Sequence, residues 1–133
     1  MPISTYLANK LLDHQVGKTA FTMPVVHVGL SSTTPAAGGS GVTEPSAGGY
    51  ARVATTGATW QAAVAGISAN VAAITFPKAT ADWSGGSNMT FGVLYDAATG
   101  GNLLGYAPLA VARNVLSGDT PFIDVNGLNI TLS

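Results

Sequence analysis

Turn signals recur in this chain at intervals too short for helices. Thr56-Gly57, Ser84-Gly85-Gly86-Ser87, Thr99-Gly100-Gly101-Asn102 and Asn126-Gly127 separate short apolar segments. Glycine and asparagine tolerate the positive φ that tight turns need. Breaks about every 8–12 residues predict an all-β domain, a β-sandwich or something barrel-like. The expected strands fall within 23–31, 50–55, 59–65, 70–76, 89–95, 103–109, 122–125 and 128–132. Asn126-Gly127 predicts a two-residue hairpin joining the last two. The alanine-rich stretch 61–73 suits a helix on propensity alone, but Gly66, Asn70 and the flanking threonines favour a strand there.

One segment departs from this pattern. Ser4 or Thr5 can cap a helix, because a hydroxyl accepts a free first-turn N–H. Tyr6 to Gln15 follows without glycine or proline, and Gly17 fits the left-handed position after a helix end. Ile3, Leu7, Leu11 and His14 fall near one face, with Leu12 beside it. Such a helix either packs on its own sheet or serves as an arm that docks on a neighbouring subunit. The predicted organisation is therefore one domain over residues 1–133, with a short N-terminal helical arm (1–20) and a long loop (31–49). Pro35 and Pro45 remove ladder donors from that loop, and its glycines favour turns.

The chemistry available is sparse. Charged residues make up 8% of the chain and the net charge is −1, against about 25% in ordinary domains. Lys10, Lys18, Arg52, Lys78 and Arg113 are scattered, so no basic patch exists to neutralise a nucleic acid backbone. A surface with so little charge predicts obligate assembly, since soluble monomers keep apart through charge. There is no cysteine, so disulfides and thiolate metal sites are excluded. No apolar run reaches the roughly 20 residues of a membrane span. The start Met1-Pro2-Ile3-Ser4-Thr5 lacks the pattern of a secretion signal, so the sequons at Asn88 and Asn129 count as chance matches. Glu44 is the single glutamate, and Asp13, Asp82, Asp96, Asp119 and Asp124 mostly fall at turns or element ends. No nucleophile elbow, phosphate loop or zinc motif is present. Asp13, His14 and His27 have no metal-binding spacing. The chain is expected to be no enzyme and to use no cofactor.

One charge pair stands out. Glu44 and Arg52 flank the turn-rich Pro45-Ser46-Ala47-Gly48-Gly49-Tyr50. A tight turn there could place the guanidinium on the carboxylate and fix the base of the loop; otherwise the two are unrelated surface charges. Leu7 and Leu11 on the arm, with Glu44, Tyr50 and Arg52 at the loop, are the candidate interface and loop-anchoring residues.

Gly41-Val42-Thr43-Glu44-Pro45-Ser46-Ala47-Gly48-Gly49-Tyr50-Ala51-Arg52-Val53 resembles a segment of small structural proteins of tailed bacteriophages. Val28-Gly29-Leu30-Ser31-Ser32-Thr33-Thr34-Pro35 before it is similar too. So are Tyr6 to His14, Ala73 to Pro77 with Trp83, and Phe91 to Ala97 leading into Gly100 to Leu104. The resemblance spans nearly the whole chain and is least distinctive over the last 20 residues. It implies a virion component assembled in the host cytoplasm, and supplies no catalytic residues.

Within that family the first reading is a capsid cement or decoration protein. It would be a homo-oligomer, with a trimer favoured, binding the major capsid protein at the capsid surface and bridging its subunits. The alternative is a tail-associated protein at a fibre base or tail tip. A carbohydrate-binding module would need Trp60, Trp83 and Tyr95 to share one face. Ordering a loop costs about 1–2 kcal/mol of backbone entropy per residue. The loop 31–49 is therefore expected to be ordered only against another subunit, with Glu44 and Arg52 anchoring its return.

Overall fold

The computed structural model describes residues 3–83 and 87–132. The first element is α1 (Thr5–Gln15). Ser4 caps it, its Oγ accepting the Leu7 N–H at 3.1 Å. Gly17, at φ 75°, ends it in a Schellman closure. There Gly17 N–H donates to the His14 carbonyl at 3.2 Å, and Lys18 N–H to Asp13 at 2.8 Å. The helix is fastened at its start. Ile3 bridges Gly105, Ser4 N–H donates to Leu104 O and Thr5 N–H to Ala37 O. Tyr6 and Leu7 pack on the core, whereas residues 12–20 are all exposed. The helix thus packs on its own sheet through its first turn, and the remainder projects.

Among the described residues eight strands follow: β1 (His27–Ser31), β2 (Val53–Ala54), β3 (Ile67–Ala69), β4 (Ile74–Thr75), β5 (Met89–Tyr95), β6 (Leu103–Arg113), β7 (Phe122–Ile123) and β8 (Asn129–Thr131). The main sheet has the order β2-β1-β5-β6, and two-stranded ribbons β3-β8 and β4-β7 accompany it. All pairs are antiparallel. Alternation sorts the main sheet's side chains to two faces. Val28, Leu30, Leu94, Leu104 and Ala107 join Ile74, Phe76, Trp83, Ile123 and Leu128 in the principal core. Val93, Tyr95 and Leu103 point the other way, where Val42 and Tyr106 pack against them. The domain is all-β with one N-terminal helix, its ribbons layered on the sheet as in a sandwich.

Two residues show how tightly the layers meet. A Cβ on Gly92 of β5 would lie 2.6 Å from Leu128 Cδ1, so the absent side chain is what lets Leu128 reach the sheet. Asn70 is fully buried and uses its whole amide. Its Nδ2 donates to Ala72 O at 3.0 Å and Asp124 O at 2.8 Å, while its Oδ1 accepts Leu128 N–H at 3.1 Å. At the sheet's margin, Pro108 lies within β6. An edge strand tolerates proline because its outward N–H is not needed for pairing.

Several local expectations change. The strand expected over 59–65 is replaced by a 3-10 turn at Gly57–Thr59, followed by isolated bridges from Trp60 to Asn70 and Val64 to Ile67. The two-residue hairpin falls at Ala65-Gly66, both at positive φ (54° and 77°), and not at Asn126-Gly127. β7 and β8 do not pair with each other; each finds its partner in the 67–75 segment. Gly127 N–H donates to Asp124 O at 2.8 Å with Asn126 at φ 61°, the pattern of a type II turn. The loop 31–49 is ordered within its own domain, which overturns the expectation that another subunit orders it.

Candidate functional site

The loop closes on β1 through a serine. Ser31 is fully buried. Its Oγ donates to Thr33 O at 2.7 Å and accepts the Thr33 and Thr43 N–H groups at 3.2 and 3.0 Å. Ser32 N–H donates to Thr43 O, and Thr33 Oγ1 reaches Thr43 Oγ1 at 2.8 Å. Residues 31–43 are therefore closed on themselves by their own polar groups, the mark of an Ω-loop. At its exit, Trp83 Nε1 donates to Gly48 O at 2.9 Å. Gly48, at φ 73°, has no room for a Cβ, which would sit 2.9 Å from Trp83. Trp83 also meets Tyr50 edge-on at 5.2 Å between ring centroids.

Tyr50 then takes over where a strand runs out. β2 pairs with β1 only at His27 and Val28, and further along that edge the Leu30 N–H donates to the Tyr50 hydroxyl at 3.0 Å. The hydroxyl in turn donates to Glu44 Oε2. Gly29 makes this approach possible, since a Cβ there would lie 2.5 Å from the Tyr50 oxygen and 2.8 Å from Glu44 Oε2.

Arg52 completes the network. Its Nε donates to Glu44 Oε2 at 3.0 Å and its Nη2 to Oε1 at 2.7 Å, a two-pronged pair. Its Nη1 donates at 2.8 Å to both Ala97 O and Gly100 O in the β5–β6 loop. The guanidinium lies 3.6 Å above the Tyr95 ring, and only 7% of the side chain is exposed. One arginine thus joins the Ω-loop, β5 and the next loop. That next loop is pinned separately by Asp96, which accepts from Asn102 N–H at 2.6 Å and Asn102 Nδ2 at 2.9 Å.

Electrostatics follow from this geometry. Burial alone would lower the Arg52 pKa, but the hydrogen bond and charge of Glu44 outweigh it and raise the pKa. The Asn102 side-chain bond lowers the Asp96 carboxyl. Burial, reinforced by the hydrogen bond to Glu44, raises the Tyr50 phenol far above its ordinary value of 10.0. Burial raises Tyr95 as well. A phenol whose folded-state pKa is raised contributes fully below the unfolded value and loses that contribution as pH climbs past it. Stability is therefore expected to fall above about pH 10, by about 1.4 kcal/mol per pH unit for Tyr50. Urea melts between pH 9 and 12 check this. A Tyr50→Phe variant should show a shallower decline.

The sequence candidates thus separate into two groups. Glu44, Tyr50 and Arg52 converge on one network. Leu7 and Leu11 lie half-buried on α1, and Leu7 meets the core. Gly29, Ser31 and Asp96 belong to the same construction without being singled out from sequence, and Tyr95, a candidate only for carbohydrate stacking, joins them as the ring beneath Arg52; a glycine inside the alternating run 27–31 was the available signal for the first. Trp60, Trp83 and Tyr95 do not share an exposed face. Trp83 is buried, Arg52 covers Tyr95, and Trp60 turns its Nε1 onto Thr55 Oγ1. His14 Nδ1 accepts the Phe21 N–H at 3.0 Å, and His27 Nδ1 lies 3.2 Å from Val25 O. Glu44, Tyr50 and Arg52 are thus engaged with one another, an arrangement suited to holding loops in place.

Comparison with known proteins bears on what those loops belong to. Residues 2–131 match the family model described as podophage GP4 fiber I protein gp80. The chain belongs to that family. It is therefore a phage structural protein and a virion component, as the resemblance implied. The family's description names a fibre, and nothing in it speaks for cement on a capsid shell. No curated protein matches the chain.

Proposed function

We propose that this chain is a non-enzymatic structural subunit of the phage fibre or its attachment to the tail. The observation that carries this reading is the match to a fibre family over residues 2–131. It favours the tail-associated alternative over capsid decoration. The physical character of the domain agrees. The Glu44–Tyr50–Arg52 network fixes loops rigidly, which suits a part that transmits load. Among the described residues twelve large apolar side chains are exposed, on a chain with 8% charged residues, which suits a subunit covered by other virion proteins or copies of itself. Neither nucleic acid nor membrane is a partner in this proposal.

Virions lacking this protein are expected to package DNA and to release it at the same temperature as complete particles, but to adsorb poorly to cells. Gold-labelled antibody should decorate the tail end of intact virions. Label spread over the shell, with earlier DNA release from depleted particles, would instead establish the cement reading.

A further inference from the structure

Asn126-Gly127 turns the chain without joining two paired strands. Of the seven asparagines, Asn126 is the one followed by glycine. A glycine nitrogen has no side chain beside it to hinder ring closure onto the preceding asparagine amide, so this pair is the most reactive of the seven. The fold imposes both residues. Asn126 sits at φ 61°, a conformation that asparagine and aspartate adopt more readily than other residues with side chains. A Cβ on Gly127 would lie 2.8 Å from Asp124 O and 2.9 Å from Ile123 Cγ2, so position 127 is confined to glycine. The Asn126 side chain is exposed, but the backbone around it is held. Gly127 N–H donates to Asp124 O, and Asn126 N–H to Asn70 O, each at 2.8 Å. Asn126 O accepts from Asn129 Nδ2 at 3.2 Å, and Asn70 Oδ1 accepts Leu128 N–H at 3.1 Å. Asn70 therefore grips the chain on both sides of the reactive bond.

We propose that Asn126 is a site of spontaneous covalent modification, converting to isoaspartate or aspartate, and that the grip of Asn70 holds the reaction in check while the protein is folded. Hydroxide takes the Gly127 amide proton, and the nitrogen bonds to Asn126 Cγ. The Cγ–Nδ2 bond breaks, and the departing group takes a proton from water and leaves as ammonia. Water then opens the succinimide ring. Addition at Cγ gives aspartate; addition at the Asn126 backbone carbonyl gives isoaspartate, whose main chain runs through Cβ and Cγ and is one carbon longer. The folded turn opposes the first step in two ways. Gly127 N–H is bonded to Asp124 O, which withholds the proton and fixes the nitrogen. The bonds at Asn126 N–H, Asn126 O and Leu128 N–H prevent the rotation that would bring the nitrogen onto Cγ. Ring closure therefore waits on local opening. The product acts back on the fold. Aspartate suits an exposed position at positive φ. Isoaspartate does not, because its extra carbon falls between two N–H groups that Asn70 holds at once. Asn70 directly follows β3, and the fully buried Leu128 directly precedes β8, so the β3–β8 ribbon is the part that loosens.

Mass spectrometry of the full chain aged in mildly alkaline buffer tests this, with isoaspartate identified by enzymatic methylation. In concentrated urea, Asn126 should convert faster than any other asparagine. In the folded protein it should convert at least about tenfold more slowly than in urea, because opening limits the rate. Asn70→Ala should bring the folded rate several-fold closer to the urea value. Where that variant does not fold, the parent protein in urea below its unfolding transition gives the same measurement, and its rate should rise with urea concentration. The isoaspartate form, separated by ion exchange, should melt several degrees below the parent, and Asn126→Asp close to it. Equal rates in the folded and unfolded chain would overturn the proposal, as would earlier conversion of another asparagine. A folded rate insensitive to Asn70→Ala and to urea, or an isoaspartate form as stable as the parent, would overturn the part given to Asn70.

Discussion

Arg52→Ala is expected to melt about 10 °C below the parent protein, corresponding to about 3 kcal/mol in a domain of this size. The side chain is 7% exposed and its Glu44 partner 19% exposed. Its removal leaves a mostly buried carboxylate with only the Tyr50 hydroxyl, and leaves Ala97 O and Gly100 O without the donor that joined them. Losing one member of a buried pair costs more than the pair contributes, because the survivor keeps its desolvation. Arg52→Lys should recover less than half, since an ammonium lacks the flat fork that reaches a carboxylate and two carbonyls together. Replacing both charges, as Glu44→Gln with Arg52→Met, should be milder than Arg52→Ala alone. Thermal melts followed by circular dichroism decide this. A loss below about 1 kcal/mol for Arg52→Ala would reduce the network to an ordinary surface pair.

Asn70→Ala should be comparably severe. The amide is the joint between the segment leading into β4 and the turn leading into β8, and the residue is fully buried. Truncation strands the Leu128 N–H and the Ala72 carbonyl, and leaves the Asp124 carbonyl with the Gly127 N–H alone. A buried group left unpaired costs about 1–3 kcal/mol, so the Leu128 N–H together with the partly buried Ala72 carbonyl gives an expected loss of about 3 kcal/mol. Asn70→Asp tests the sign of the charges involved. A carboxylate supplies no donor to the two carbonyls and should be at least as damaging as alanine. Urea unfolding curves give the comparison directly, and near-parent stability for either variant would contradict the role assigned to this side chain.

How far the sequence could be read depended on how local each signal was. β5 lies at the expected 89–95 because seven residues of alternating apolar character stand between glycine-rich turns. β6 begins where expected but continues past Leu109 to Arg113, since pairing with Met89 extends it. The ribbons were harder. β3 meets β8 and β4 meets β7 across more than 45 residues, and no short-range pattern encodes such partners. Their pairing near the chain's end also explains why Asn126-Gly127 turns without making a hairpin. The helix cap at Ser4 and stop at Gly17 were legible because both rest on neighbouring residues. The proximity of Glu44 and Arg52 was legible as one of two possibilities, from the turn between them. What was missed is the reach of Arg52 to residues 97 and 100, and the closure of the loop around Ser31. The entropy of ordering the loop was set only against its own threonines and glycines. The offset comes from the bonds Ser31 makes across the loop, together with side chains beyond it, Trp83 and Arg52. Whether the chain sits on shell or fibre was not legible at all, because a charge-poor β domain with an exposed arm suits either location.

The margins of the main sheet have a bearing on how such a subunit survives crowding during particle assembly. Its outer strands are β2, two residues long, and β6, which is occupied at Gly105 by Ile3, interrupted by Pro108, and met at Ala110 by Gly127. Backbone groups that could template another chain are thus few and scattered. A protein with so little charge has weak long-range repulsion, and open edges would invite runaway stacking into amyloid-like fibrils. Growth by strand addition is closed off at these edges, so that any association between subunits has to be made through side chains.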